Sequence, residues 1–306
     1  MTLDLRSATF LIECARRGSL GRAAAALNLT QPAATRMLKR LEDSYGAPLF
    51  ERNTRGVVPT IYGEALLPYA ELMVSESANA GDLIRQMRGA SRGVVRVGGV
   101  ASLVGGFILA AIGQMRRNHR DVQFHIVEEL EDRLLDSLKQ GDIDLAISPE
   151  PYADDEIALA TPDTFRDLVS VYAACDHPVH RIEGPALGDV GPLDWAMPPE
   201  GTPVMREWLR RFHHQGIEPA PPRLVSRSVP VIKSAAISHG MLCWLPQPLV
   251  GEEVERGEMA RIAIADLEWR RTFRVYRRKM GLMTPSAAIL VECIRRTGQA
   301  TGGEIA

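Results

Sequence analysis

The chain is short of the residues that staple or coordinate. Its four cysteines, Cys14, Cys175, Cys243 and Cys293, stand far apart, with no C-x-x-C pair and no Cys/His ligand spacing. Neither a disulfide framework nor a metal site is expected, and a reducing cytoplasm suits the chain best. No stretch reaches about 18 uninterrupted apolar residues, and acidic Asp4 precedes the first apolar run, so neither a membrane span nor an export signal is expected. There is no H-E-x-x-H and no P-loop, and the seven histidines fall in no catalytic constellation, so an enzyme is not expected. What is present, 306 residues of which 45% are hydrophobic and 24% charged, is a globular composition long enough for two or more domains.

Net charge is also small, at −2, yet it is unevenly placed. Basic residues outnumber acidic ones nine to five between Met1 and Pro59, which leaves the rest of the chain net acidic. A phosphate-binding surface needs such a local excess. In this region Leu3, Phe10, Leu11, Cys14 and Ala15 partly follow helical spacing up to Gly18. Ser19 can cap a short second helix with Leu20, Ala23, Ala24 and Leu27 inward, and Asn28-Leu29 makes a tight turn. Thr30 can cap a third helix, with Pro32 in its first turn and Ala34, Leu38, Leu41 and Tyr45 as its apolar stripe. The opposite face carries Gln31, Thr35, Arg36, Lys39 and Arg40, groups able to read base edges and neutralise phosphates in a major groove. An isolated helix with such a face is usually just solvated. Here the context argues otherwise. Helix, short turn and polar-basic helix compose a helix-turn-helix, and residues 48–60 read as a two-stranded wing bearing Arg52 and Arg55, suited to phosphate or minor-groove contacts.

The run AAAALNLTQPA at 23–33, Leu41-Glu42, and GAPLFER at 46–52 resemble the signature of LysR-type transcriptional regulators. The resemblance implies a recognition helix at 30–45 on double-stranded promoter DNA, with Gln31, Pro32, Thr35 and Arg36 nearest the bases. From 61 to 87, Tyr62, Leu66, Tyr69, Met73, Glu76, Ala80, Leu83 and Met87 recur at steps of four and three, a heptad-like seam. Glu76 interrupts it, and Pro68 is expected to bend or locally break the helix. A partner helix is the best use of the seam, packing on its own chain the alternative. The family's antiparallel linker-helix pairing favours a homodimer or homotetramer, with two DNA half-sites about one helical turn apart.

Residues 89–93, GASRG, break the helical pattern as a hinge. Beyond them strands at 94–97, 122–127 and 144–147 alternate with helices at 103–116 and 130–139. Strands at 168–173, 241–245 and 273–276 and helices at 204–214, 229–237 and 287–295 follow. Such alternation implies a mostly parallel α/β sheet in two small lobes. GDIDLAI at 141–147, DHP at 176–178 and GMLCWLP at 240–246 resemble the LysR sensor domain, which is folded like periplasmic binding proteins. The expected fold is therefore an all-α winged helix-turn-helix (1–60) and a long linker helix (61–89), then an α/β effector domain (90–306) of two Rossmann-like lobes. Lobe I covers about 93–162 and 269–296, and lobe II about 163–268.

Ligands of open α/β sheets bind beyond the carboxyl ends of strands, where helix N-termini offer unpaired N–H groups. Ser102, after the first strand, and Thr202, before the helix at 204, are expected to face each other and hold an acidic group of the effector, though either residue serves equally well as a helix cap. Family matching puts Glu131 in the pocket where a small polar residue is usual. A carboxylate there would repel a second carboxylate or accept a hydrogen bond from a hydroxyl. Pro149, Pro199, Ser228 and Val229 are expected to complete the wall, with Trp195 either wall or core. The expected function is a sequence-specific DNA-binding regulator controlled by a small organic acid, aromatic acids included. It would use no cofactor beyond this co-inducer and would engage RNA polymerase if it activates. An architectural DNA-binding protein without a sensor is the alternative, and the double α/β pattern speaks against it.

Overall fold

The structure, a computed structural model, describes residues 3–53, 56–87, 93–149 and 155–305. Three helices open it. Helix α1 (Leu5–Arg17) is capped by the Asp4 carboxylate, which accepts from the Ser7 N–H at 2.8 Å, and is stopped by Gly18 in the left-handed region. The Ser19 and Thr30 side chains cap α2 (Leu20–Ala26) and α3 (Gln31–Tyr45), and Asn28 turns between them at a φ of 53°. Phe10, Leu11, Cys14, Ala23, Ala24, Ala34, Leu38 and Leu41 form their shared core. Tyr45, expected on the buried stripe, is 44% exposed, at the last residue of the helix before Gly46.

Strands β1 (Phe50–Asn53) and β2 (Gly56–Pro59) make the antiparallel wing. The Val57 N–H donates to the Gly18 carbonyl at 3.0 Å, and a Cβ on Gly56 would stand 2.1 Å from that oxygen, so only glycine lets the wing seat against the end of α1. Arg52 lies in β1 by its backbone, and Arg55 lies outside the described residues.

Helix α4 (Ile61–Met87) runs unbroken through Pro68, contrary to the expected break. Proline at its eighth residue removes one hydrogen bond, and packing on both sides holds the turn: Leu66 and Leu67 lie against the N-terminal core and Ala70 is fully buried. The expected seam also divides. Tyr62 and Tyr69 are exposed, Tyr69 by 70%, together with Ile61 and Ile84. Leu66 turns to its own chain, and Glu76 pairs with Arg278.

The remainder is built on one ten-stranded sheet. Its first half contains β3 (Val94–Gly99), a helical run of α5 (Ala101–Leu103), a π-turn (Val104–Ile108) and α6 (Leu109–Arg116), then β4 (Gln123–Glu128), α7 (Glu131–Gln140), β5 (Leu145–Pro149) and β6 (Ile157–Leu159). Next come β7 (Phe165–Ala174), α8 (Leu187–Val190), β8 (Trp195–Met197), α9 (Pro203–His214), β9 (Leu224–Val225), α10 (Val229–His239) and β10 (Leu242–Pro246). The chain finishes with α11 (Gly251–Glu255), β11 (Met259–Ile262), β12 (Trp269–Arg278) and α12 (Pro285–Ala300). Strand order is β4-β3-β5-β12-β7-β10-β8-β9, with β11 on β7 and β6 on β12. The pairs among β3, β4 and β5 and among β8, β9 and β10 are parallel, as the βαβ pattern requires, whereas β12 runs antiparallel to both β5 and β7. One apolar core gathers around Leu134, Ile147 and Leu290, and others around Trp208 and Trp244 and around Ile232 and Cys243. Strands β7 and β12 are ten residues each, longer than their apolar patterns, because they pass from one half of the sheet to the other.

Candidate nucleic-acid interface and ligand cleft

The outer face of α3 carries Gln31, Pro32, Thr35, Arg36, Lys39 and Arg40, all exposed. The Thr35 hydroxyl donates to the Gln31 carbonyl at 3.0 Å, and among the described residues no hydrogen bond or ion pair holds Arg36, Lys39 or Arg40. Arg16 and Arg17 are different, since both pair with Glu13 on their own helix. Glu42, on the inner side of α3, accepts from the Leu49 and Phe50 N–H groups at 2.8 and 3.3 Å, which ties α3 to the first wing strand. The arrangement leaves a protruding helix face with uncompensated cations, which suits a polyanionic groove.

A cleft of about 340 Å³ lies between the two halves of the sheet domain, within the size range of small-molecule sites. Val100, Ala101, Ser102, Glu128, Glu129 and Leu130 line it from one half; Pro198, Pro199, Thr202, Arg227, Val229 and Leu245 line it from the other, and Arg271 from β12 joins them. Of the expected wall, Ser102, Pro199, Thr202 and Val229 are thus brought together. Pro149 and Ser228 are not among the lining residues: Pro149 is tied into the sheet opposite Phe273, and Ser228 precedes α10 between the lining Arg227 and Val229 without a side-chain capping bond. Glu131 begins α7 directly after the lining Leu130. Trp195 belongs to the core, fully buried, its indole N–H on the Val190 carbonyl at 3.0 Å and its ring edge-on to Trp208.

Ser102 does not cap its helix. Its hydroxyl donates to Asp167 Oδ2 and accepts from Arg271 Nη2, each at 2.9 Å. Arg271 Nε donates to Asp167 Oδ1 at 2.8 Å, and Nη2 pairs with Oδ2. Asp167 and Arg271 are 1% and 6% exposed, and the guanidinium carbon lies 5.0 and 5.6 Å from the ring centres of Phe273 and Trp269. This buried pair, 104 residues apart, was missed from sequence. The available signal was a lone Asp before the apolar run LVSVYAA and an Arg inside an otherwise strand-like WRRTFRVY. Thr202 does cap α9, accepting from the Met205 N–H at 3.3 Å while donating to the Pro199 carbonyl at 2.9 Å.

Helix α7 starts beside the cleft and packs against α4. Arg278 donates to the Leu138 and Ile143 carbonyls at 3.1 and 3.4 Å around the far end of that helix and pairs with Glu76 at 2.5 Å. Ser75 also donates to the Gly141 carbonyl. Burial pushes the Cys14 and Cys243 thiols up to about 12, so neither supplies a thiolate near neutrality. Among the described residues no three His, Cys, Asp or Glu side chains group as metal ligands, and no helix is long and apolar enough to cross a membrane. The letters G-x-S-x-G at 89–93 follow a helix and precede a strand, the reverse of the strand–turn–helix order in which that motif exposes a nucleophile.

Two family models match the chain: the bacterial regulatory helix-turn-helix protein of the lysR family over residues 5–64, and the LysR substrate binding domain over 88–299. Among curated relatives, the HTH-type transcriptional regulator GbpR of Azospirillum brasilense is 28% identical over 238 residues, 78% of this chain and 69% of its own length. CbbR of Xanthobacter flavus, also an HTH-type transcriptional regulator, is 26% identical over 98% of this chain and 91% of its own. Among solved structures, full-length CbnR complexed with its target DNA superposes with a TM-score of 0.70 at 20% identity, covering 96% of this chain and 100% of that one. ArgP from Mycobacterium tuberculosis gives a TM-score of 0.72 at 17% identity, with 97% of each chain covered.

Proposed function

The chain belongs to the LysR family of DNA-binding transcriptional regulators, and we propose that a small organic acid, bound in the cleft between the halves of its substrate-binding domain, controls how it engages promoter DNA. The observation that carries this reading is the pairing, in one chain, of an uncompensated basic helix face with a cleft of ligand size. In it, residues 1–60 read DNA, 61–89 link and dimerise, and 90–306 sense the effector. Lobe I comprises about 93–162 and 269–296, and lobe II about 163–268.

Gln31, Pro32, Thr35 and Arg36 face the bases, Lys39 and Arg40 the phosphates, and the wing residues Arg52 and Arg55 the flanking backbone. Two copies pair through the exposed Ile61, Tyr62 and Tyr69 of α4, as a dimer or within a tetramer, and present two recognition helices to one side of the duplex. Ser102, Glu131, Pro199, Thr202 and Val229 surround the effector. Pro149 and Ser228 act behind that wall. Effector binding shifts the halves of the domain, and α7 carries the shift to Glu76 and Ser75 on α4. RNA polymerase is the further partner if the regulator activates, and the cytoplasm is the setting.

Gel shift with the intergenic DNA upstream of the gene tests the first half of the reading, and retardation without any turnover is expected. A thermal-shift panel of aromatic and aliphatic acids tests the second. An acid at 100 times its Kd adds about 2.7 kcal/mol of stability, and a panel with no shift removes the sensor.

A further inference from the structure

Hydrogen-bonding capacity in the cleft is lopsided. A hydroxyl has one proton to give. That of Ser102 goes to Asp167 and that of Thr202 to the Pro199 carbonyl. Arg271, nine-tenths buried at the cleft floor, spends Nε and Nη2 on Asp167 and Ser102, and its charge is matched by the same carboxylate. Releasing the Ser102 hydroxyl or the Arg271 Nε and Nη2 groups to a ligand would leave Asp167 buried and underpaired, which is unfavourable. Apart from Arg271, the charged side chains along the wall are the carboxylates of Glu128 and Glu129 on one half and the exposed Arg227 opposite. With Arg271 matched by Asp167 behind the wall, two carboxylates face one remaining guanidinium, and the cleft is net acidic.

We infer that the effector bears hydrogen-bond donors, hydroxyl or ammonium groups, directed at Glu128 and Glu129, and at most one carboxylate, set against Arg227. This rests on the reading of the cleft as the effector site. A dicarboxylate is disfavoured here because its second anion would enter beside Glu128 and Glu129, where like charge repels it and the guanidinium of Arg271 is already matched by Asp167. A hydroxyl at the same position gives each carboxylate a charge-assisted bond instead. The sequence pointed at Glu131 for this discrimination; in the structure the two residues before Leu130 line the cavity.

The test uses the full-length protein, thermal shift and calorimetry, and probes matched on one frame: benzoate, 4-hydroxybenzoate, 4-(aminomethyl)benzoate and terephthalate, then propionate, lactate, alanine and malonate. Within at least one set the hydroxyl or the ammonium member binds best, the two arms separating those donors, and the dicarboxylate binds at least about tenfold more weakly. Glu128→Gln combined with Glu129→Gln narrows that gap at least tenfold; should this double variant not fold, Glu128→Gln alone, at an exposed residue, carries the same comparison. A dicarboxylate bound as well as its hydroxylated analogue, or a preference unchanged by the substitutions, overturns the inference and leaves the cleft as effector site. No shift from any probe while operator binding persists removes the cleft reading itself, and this inference with it.

Discussion

The reading helix and the cleft solve opposite problems. On α3 every candidate contact falls within ten residues, stands exposed, and has its cations free of intramolecular partners. In the cleft the polar groups come from positions as distant as Ser102 and Arg271, and they are bonded to one another before any ligand arrives. DNA supplies its own dense array of acceptors and charges, so a reading face works best with side chains left uncommitted. A small ligand supplies few, so its site must be organised in advance, and that organisation is part of the fold.

The difference is sharpest in two arginines. Arg271→Met leaves Asp167 without its counter-charge at 1% exposure, and we expect a loss of about 3 to 5 kcal/mol, read as a lower urea midpoint. Adding Asp167→Asn to that variant recovers part of it. Arg36→Ala, by contrast, weakens operator binding by about 1 to 3 kcal/mol at matched salt if it makes a bidentate base contact, while the urea midpoint moves by less than about 0.5 kcal/mol. A harmless Arg271→Met, or normal operator affinity with Arg36→Ala, breaks the contrast. Next in size is Thr30→Ala. Its side chain caps α3 at the Ala33 N–H, and its loss costs about 1 kcal/mol, with denaturation as the measure. A cost falling entirely on operator affinity instead would make Thr30 a DNA contact rather than a cap.

The same contrast explains what was legible beforehand. Helix periodicity, caps and Gly stops are local, so α1, α2 and α3 emerged nearly to the residue, and the exposed face of α3 followed from its buried one. The alternating strands and helices of the sheet domain were equally local. The halves of the cleft were approached through Ser102, Thr202, Pro199 and Val229, since helix starts after strands mark the right edge of such a sheet. What stayed hidden depends on distant pairing. Asp167 meets Arg271 only because β7 and β12 lie side by side, and Glu76, which looked like a flaw in an apolar seam, is the partner of Arg278. Short elements such as β6, β9 and β11 hold their place through neighbours rather than pattern, and Pro68 is overridden by packing of α4 on the N-terminal core.

Between the two regions lies the contact of α4 with the end of α7, and the smallest effect is expected there. Burial and the nearby Asp142 hold the Glu71 carboxyl above its ordinary value of 4.5, and burial likewise raises Asp142 against the pull of Arg96 and Arg278. An acid raised in the folded state stabilises the fold in full only below its unfolded value; that contribution disappears as pH climbs through the raised value, and at neutrality the ionised pair is a net cost. Glu71→Gln removes this cost. We expect it to stabilise the protein at pH 7.5, by less than about 1 kcal/mol because solvent screens both carboxylates, with the gain fading as pH falls toward 4.5. Urea midpoints at the two pH values measure it. A gain equal at both, or a loss at pH 7.5, would mean that shape rather than charge governs how the sensing domain grips the helix that carries the DNA-reading unit.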